Sequence, residues 1–292
     1  MVDASDKPAR LRTATQWGVY DLEVRDGNIV GVTGIEVDPS PAPMGDVLLD
    51  GVQHHTRIQR PAIRKSWLEC KDRGRAKRGT EPFVEVPWDE ALELAAGELR
   101  RVKDDHGNKA IFAGSYGWAS AGRFHHAQSQ LHRFINLMGG CTRAMNSYST
   151  AAAQVILPHV VAPWPHMELH QTSWQDVIEH SGFVVAFGGL PLRNTQVAYG
   201  GITEHNSARD MRRASERGVG FCNISPLRQD MPSWLNAQTL MPRPGTDVAL
   251  MLGLAYVLEH EALLDREFLR THCVGYERFR EYLLGHSDGV AK

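Results

Sequence analysis

Residues 183–224 constrain this chain more than any other stretch. Two apolar runs, FVVAF at 183–187 and VGFCNI at 219–224, are separated by a charged segment, 203–217, that carries Met211 and Ala214. Gly188-Gly189-Leu190-Pro191 breaks the first run, and Gly218 closes the segment before the second. Strand, helix and strand at this spacing predict a βαβ unit and hence a parallel sheet. A right-handed crossover brings both strand ends to one edge, where nucleotides bind in such sheets. Residues 246–258, with Val248, Leu250, Met251, Leu254, Val257 and Leu258, then predict a strongly apolar helix.

Three loops belong to that edge. GGLPLRNTQ (188–196) contains Arg193, whose guanidinium is suited to pair a pyrophosphate through two donors. SPLRQD (225–230) follows the second run. PRPGTDVAL (242–250) puts Thr246 and Asp247 at a helix start. A carboxylate there either accepts from a guanine edge or ribose hydroxyl, or serves as helix cap and dipole partner.

Upstream, residues 15–37 read as a hairpin in which Leu22 and Val24 alternate with Asp21, Glu23 and Arg25 about an Asp26-Gly27 turn. Pro39, Pro41 and Pro43 punctuate a linker. The basic stretch 57–78 reads as a solvated surface loop: its single aromatic, Trp67, is poor interleaving for a nucleic acid, and acidic residues follow. A helix begins at Pro87-Trp88-Asp89-Glu90 and ends at His106-Gly107. A short apolar strand at 110–113 leads into GSYGWASAGRFHH (114–126), and a helical segment, 123–137, is stopped by Gly139-Gly140. NSYSTAAAQVILPH (146–159) opens the next helix, 150–161, which Pro158 stops or kinks. The expected domains are a β-rich piece at 1–56, an α/β region at 57–160 and a dinucleotide-binding α/β region at 161–292. The fold class is α/β, with a small N-terminal β-rich piece and Rossmann-like parallel-sheet domains.

Composition excludes several classes. A net charge of −2 over 292 residues argues against a dedicated nucleic-acid binder. No apolar run is long enough to span a bilayer. The start, MVDASDKPARLRTATQ, has neither an apolar signal core nor a twin-arginine pair, so the expected location is cytoplasmic; a periplasmic protein with its leader removed would look similar. Cys70, Cys141, Cys222 and Cys273 form no CxxC, so no iron–sulfur cluster is expected. His125 and His126 cannot share a helix face, and no HExxH pattern is present, so zinc is not expected.

Two motifs carry chemistry. Tyr116 and Trp118 place a phenol and an indole on a Gly-flanked turn, each with one donor on an apolar body; packing is the plain alternative. Ser149 precedes the small-residue run 151–153, where it is a helix cap or a ligand. Together GSYGW…GRFH and SYSTAAAQVILPHV resemble the dimethyl-sulfoxide, trimethylamine-N-oxide and biotin-sulfoxide reductase branch of the molybdopterin oxidoreductases, and the resemblance covers nearly the whole chain. It implies molybdenum held by bis-molybdopterin guanine dinucleotide, with Ser149, at the position of the YST serine, as the one protein ligand of the metal. It implies that Tyr116 and Trp118 reach the oxygen being transferred. The cofactor contacts it implies are Trp118; Arg193 and Asn194; Ser225, Pro226 and Arg228; and Thr246 and Asp247.

HQTSW (170–174) is similar to the family's QQTSW, and 268–279 to its FLxxxCxGxExF helix. The chain departs from relatives in having Arg193 where Lys is common, Leu190 where Asp is common, and NSYST in place of GDYST. Tyr116 favours a sulfoxide over an N-oxide, because the trimethylamine-N-oxide branch tends to lack it. The implied protein is the N-terminal part of an S-oxide or N-oxide reductase, served by an unidentified electron donor and inactive as this chain alone. The rivals are a truncated or non-catalytic cofactor-binding module and a nicotinamide-dependent dehydrogenase. The latter needs a glycine fingerprint that Gly188-Gly189 does not supply.

Overall fold

A computed structural model describes residues 8–71, 77–114, 126–145 and 149–290. The chain divides into two compact units, Met1–Gln171 with Gln196–Asn206, and Thr172–Thr195 with Ser207–Lys292. The class is mixed α/β, as the sequence predicts.

In the first unit β1 (Ala9–Thr15), β2 (Gly18–Arg25) and β3 (Asn28–Gly34) form an antiparallel meander in that order. The expected hairpin is β2–β3. Its two-residue turn has φ of 50° at Asp26 and 77° at Gly27, the double left-handed geometry that matches strand twist. β1 is additional to the sequence reading. Its register sets Arg12 opposite Asp21, with Nε donating to Oδ1 at 2.7 Å. Tyr20 and Leu22 are buried on one face of β2, and the Tyr20 hydroxyl donates to the Ala42 carbonyl at 2.8 Å, tying the proline linker to the sheet. His205 also packs here. Its Nδ1 lies 2.7 Å from Asp38 Oδ2, and both side chains are buried. Burial pushes the Asp38 carboxyl up, but hydrogen bonds from the His205 backbone and ring and from the Ser40 backbone outweigh it and hold the group below its usual range.

The basic stretch is not a plain loop. It contains β4 (Ala62–Arg64) and α1 (Lys65–Cys70), and β4 pairs with β5 (Phe83–Glu85). Glu81 explains the order: it accepts from Arg64 Nη1 at 2.9 Å and from the Ser66 backbone and hydroxyl. α2 (Trp88–His106) ends at Gly107, as read. α3 (Ala127–Leu137) is capped by His126, whose Nδ1 accepts from the Ser129 backbone at 3.2 Å. It stops at Gly139 and Gly140, with φ of 105° and 96°. The expected strand at 110–113 is only a single bridge between Phe112 and Thr142. α4 (Ala151–Ile156) gives way at Leu157–His159 to a tighter turn, where Pro158 removes a donor. α5 (Trp164–Leu169) follows.

The second unit opens with α6 (Trp174–His180), which the sequence reading missed. The TSW motif supplies its capping box: the Ser173 hydroxyl oxygen accepts from the Asp176 backbone, and Asp176 accepts from the Ser173 backbone. β6 (Phe183–Phe187), α7 (Ser207–Glu216) and β7 (Gly220–Ile224) form the predicted parallel βαβ unit, and a missed strand, β8 (Gln238–Leu240), adds to β7 in parallel. α7 starts four residues later than 203 because the residues before it, His205 among them, belong to the first unit. Ile178, Ala186, Met211, Ala214, Val219, Phe221, Met231 and Leu235 make one core between the helices and the sheet. α8 (Asp247–His260) is the predicted apolar helix. The single helix expected at 268–279 is two, α9 (Arg266–His272) and α10 (Tyr276–Leu283), separated where Gly275 takes a left-handed φ of 84°. No helix among the described residues is long and apolar enough to cross a membrane.

Candidate cofactor and active site

The motif residues of the first unit are only partly described. Tyr116 and Trp118 lie outside the described residues, as do 146–148. The segments leading into both motifs run side by side. Thr142 N donates to Ile111 O at 2.8 Å and Ala113 N donates to Thr142 O at 3.1 Å, in parallel sense, so the chain leaves both at the same end. Ser149 is exposed in the turn before α4. The helix cap is Thr150, one residue later, and the Thr150 hydroxyl is 2.9 Å from the Gln154 amide instead of bonding the first turn. The cap reading of Ser149 is therefore not met.

In the second unit the parallel sheet gives all three strand ends one direction, so the loops after β6, β7 and β8 share one edge. Gly188 N donates to Ile224 O at 2.8 Å, and Ser225 N to Leu240 O at 3.1 Å, which stitches the three loop starts together. Arg193 lies in a short helical turn (Leu192–Thr195), exposed, with one guanidinium nitrogen, Nη2, paired to Asp230 Oδ1. Asn194 is exposed beside it. Asp230 is buried and also accepts a hydrogen bond from the Ser225 hydroxyl on Oδ2. These two bonds, Ser225 first and Arg193 second, hold the Asp230 carboxyl below its usual range against the opposing effect of burial. Pro226 and Arg228 are exposed on the same loop, and Arg228 makes no side-chain hydrogen bond or ion pair among the described residues. It lines an open depression of about 490 Å³ with Met231, Ser233, Asn236 and Thr239. Thr246 is the cap residue of α8, but its hydroxyl donates to Arg243 O at 2.6 Å and not to the helix. Asp247, half-buried, begins the helix.

Sequence reasoning missed Asp230 and Asn223. The signal for Asp230 was available: it is the one carboxylate among the charges of the first two loops. Asn223 is fully buried on β7, with Nδ2 donating to Leu227 O at 3.3 Å and Oδ1 without a partner. A polar residue inside an apolar strand is the only hint the sequence offers.

Residues 57–269 match the molybdopterin oxidoreductase family, and residues 13–52 match the molybdopterin oxidoreductase N-terminal domain. The chain belongs to the molybdopterin oxidoreductase family. It is 39% identical over 97% of its length to a dimethyl sulfoxide/trimethylamine N-oxide reductase of Cereibacter sphaeroides, of which it covers 34%. It is 42% identical over 90% of its length to a biotin sulfoxide reductase of the same organism, covering 36% of that protein. A trimethylamine-N-oxide reductase of Haemophilus influenzae is 36% identical over 96% of the chain and is covered to 34%. The chain thus spans about a third of the length of these curated relatives.

The strand-end residues fit the family's molybdopterin chemistry. A phosphate or diphosphate group is recognised by paired N–H donors. The edge offers it Arg193 with one donor engaged and the rest exposed, and Arg228 with no side-chain partner among the described residues. The same edge offers a purine or ribose the Asp247 carboxylate at the start of a 14-residue helix. A carboxylate at that end disfavours a phosphate there and suits a hydrogen-bond donor.

Proposed function

We propose that this chain is the N-terminal part of a reductase of S-oxides or N-oxides that binds molybdenum through bis-molybdopterin guanine dinucleotide. One observation supports the reading: the segments that precede the GSYGW and NSYST motifs in sequence pair in parallel at Phe112 and Thr142, in a chain 36–42% identical to relatives named for such reductions. When bound, molybdenum accepts the oxygen atom of an S=O or N–O group and supplies the two electrons that its loss requires. The chain's own residues do the rest. Ser149 holds the metal through its side-chain oxygen, a role compatible with its not capping α4. Tyr116 and Trp118 donate to the departing oxygen and stabilise the charge that develops there. Arg193, Asn194, Ser225, Pro226, Arg228, Thr246 and Asp247 hold the dinucleotide, and Trp118 also contacts the cofactor. Molybdenum is the only metal centre, the protein is cytoplasmic, and Tyr116 favours a sulfoxide.

The test uses the natural polypeptide that contains these residues, made in a host that assembles the cofactor. Molybdenum, iron and sulfoxide reduction by a reduced viologen are measured for the parent and for Ser149→Ala. The expected result is molybdenum without stoichiometric iron, and near-complete loss of reduction in the variant with an unchanged Tm. Activity of Ser149→Ala within a few-fold of the parent would remove Ser149 as ligand.

A further inference from the structure

We propose that Asp230 is a positioning residue that orients Arg193 toward the diphosphate of a bound nucleotide. The inference rests on the dinucleotide reading above. Asp230 is built into the sheet edge. Its backbone carbonyl accepts from Leu190 N at 2.6 Å, its backbone N–H donates to Leu227 O at 3.2 Å, and its Oδ2 accepts from the Ser225 hydroxyl. Ser225 is itself 1% exposed and fixed at the end of β7. Of the carboxylate's two oxygens, one is therefore committed to the protein, and the other, Oδ1, holds Arg193 Nη2. The Asp230 side chain is 11% exposed and that of Arg193 is 59% exposed. So the buried end of the contact is the anion, and the exposed end is the cation.

An arginine with five donors and one contact keeps the rest for phosphate oxygens: Nη2 has a second hydrogen, which still forms a two-donor fork with the N–H beside it on Nε or Nη1. Without Asp230 the same side chain samples several rotamers, and binding must order it. Gly189 reinforces the arrangement. A Cβ there would lie 2.3 Å from the Asp230 carbonyl oxygen, so the loop carrying Arg193 can approach Asp230 this closely only with glycine at that place.

The experiment follows the Arg193 side-chain Nε–H by NMR relaxation in the natural polypeptide that contains these residues, made without its cofactor, together with a titration by GDP, a soluble nucleoside diphosphate. The parent, Asp230→Asn, Arg193→Gln and the double variant are compared. In the parent the Arg193 Nε–H is expected to be as rigid as the backbone, and to become mobile in Asp230→Asn. GDP affinity is expected to fall about 10-fold in Asp230→Asn, with no further loss when Asp230→Asn is added to Arg193→Gln. A merely structural role gives the same loss in both backgrounds and leaves Arg193 rigid, which overturns the proposal. GDP binding untouched by Asp230→Asn overturns it while leaving the dinucleotide reading intact. Failure of the parent to bind GDP at all, with Arg193 rigid, overturns the dinucleotide reading and the positioning role together.

Discussion

Buried charge in this chain is concentrated where separate segments must be held together. Glu259 shows the principle. It stands near the end of α8, almost wholly buried, and accepts from Arg266 Nη2 at 2.9 Å, from the Tyr276 hydroxyl and from Arg280 Nε at 2.6 Å. One carboxylate thus joins α8, α9 and α10. The bonds from Arg266, Tyr276 and Arg280 outweigh the burial cost and depress the Glu259 pKa to about 2. A folded-state value below the unfolded one contributes stability at pH above about 4.3, and that contribution is lost as pH falls toward 2. Glu259→Gln should therefore lower Tm at neutral pH and should differ little from the parent near pH 2. Thermal melts of both proteins across that range check it. A deficit that stays constant with pH would assign the loss to packing and not to charge.

Element by element, the sequence revealed what long patterns encode and hid what depends on contact. β6, α7 and β7 were readable because apolar runs and glycine stops alternate over some forty residues, α2 because its apolar spacing persists for several turns, and α8 because it is apolar over nearly its whole length. β8 was not, since three residues, Gln238–Leu240, carry no period and become a strand only by pairing with β7. The strand read at 110–113 failed for the converse reason: an apolar run without a paired neighbour reduces to one bridge. At the site, the strand-end loops were placed correctly on one edge by chain direction alone. Asp230 was missed because its role depends on the approach of a loop some forty residues away in sequence. Gly189 governs that approach. Its φ is 76°, and an added Cβ would meet Asp230 O at 2.3 Å, in backbone that cannot step aside. Gly189→Ala should destabilise the chain by roughly 2–4 kcal/mol, combining left-handed strain with the clash. Urea denaturation measures it, and a loss under about 1 kcal/mol would show the two loops to be slack.

At the scale of the whole molecule, the chain belongs to the molybdopterin oxidoreductase family and spans about a third of the length of its curated relatives. A helix that is apolar all round is normally enclosed. α8 has that composition, yet Val248 is 68% exposed, and Met251, Leu254 and Leu258 continue the same stripe at 41–44%. Together they form a line of apolar side chains at helical spacing of the kind that drives association when left in water. The 292 residues in isolation should therefore bind the dye ANS and self-associate as concentration rises. Val248→Lys with Met251→Lys should suppress both while leaving Tm nearly unchanged, because side chains this exposed contribute little packing within the chain. Sedimentation velocity and thermal melts of parent and double variant decide the matter. If the lysines unfold the protein, the stripe is packed in solution; if association persists at full strength, the sticky surface lies elsewhere. Suppressed association with an intact Tm would mean that the exposed stripe of α8 carries the association without packing within the chain.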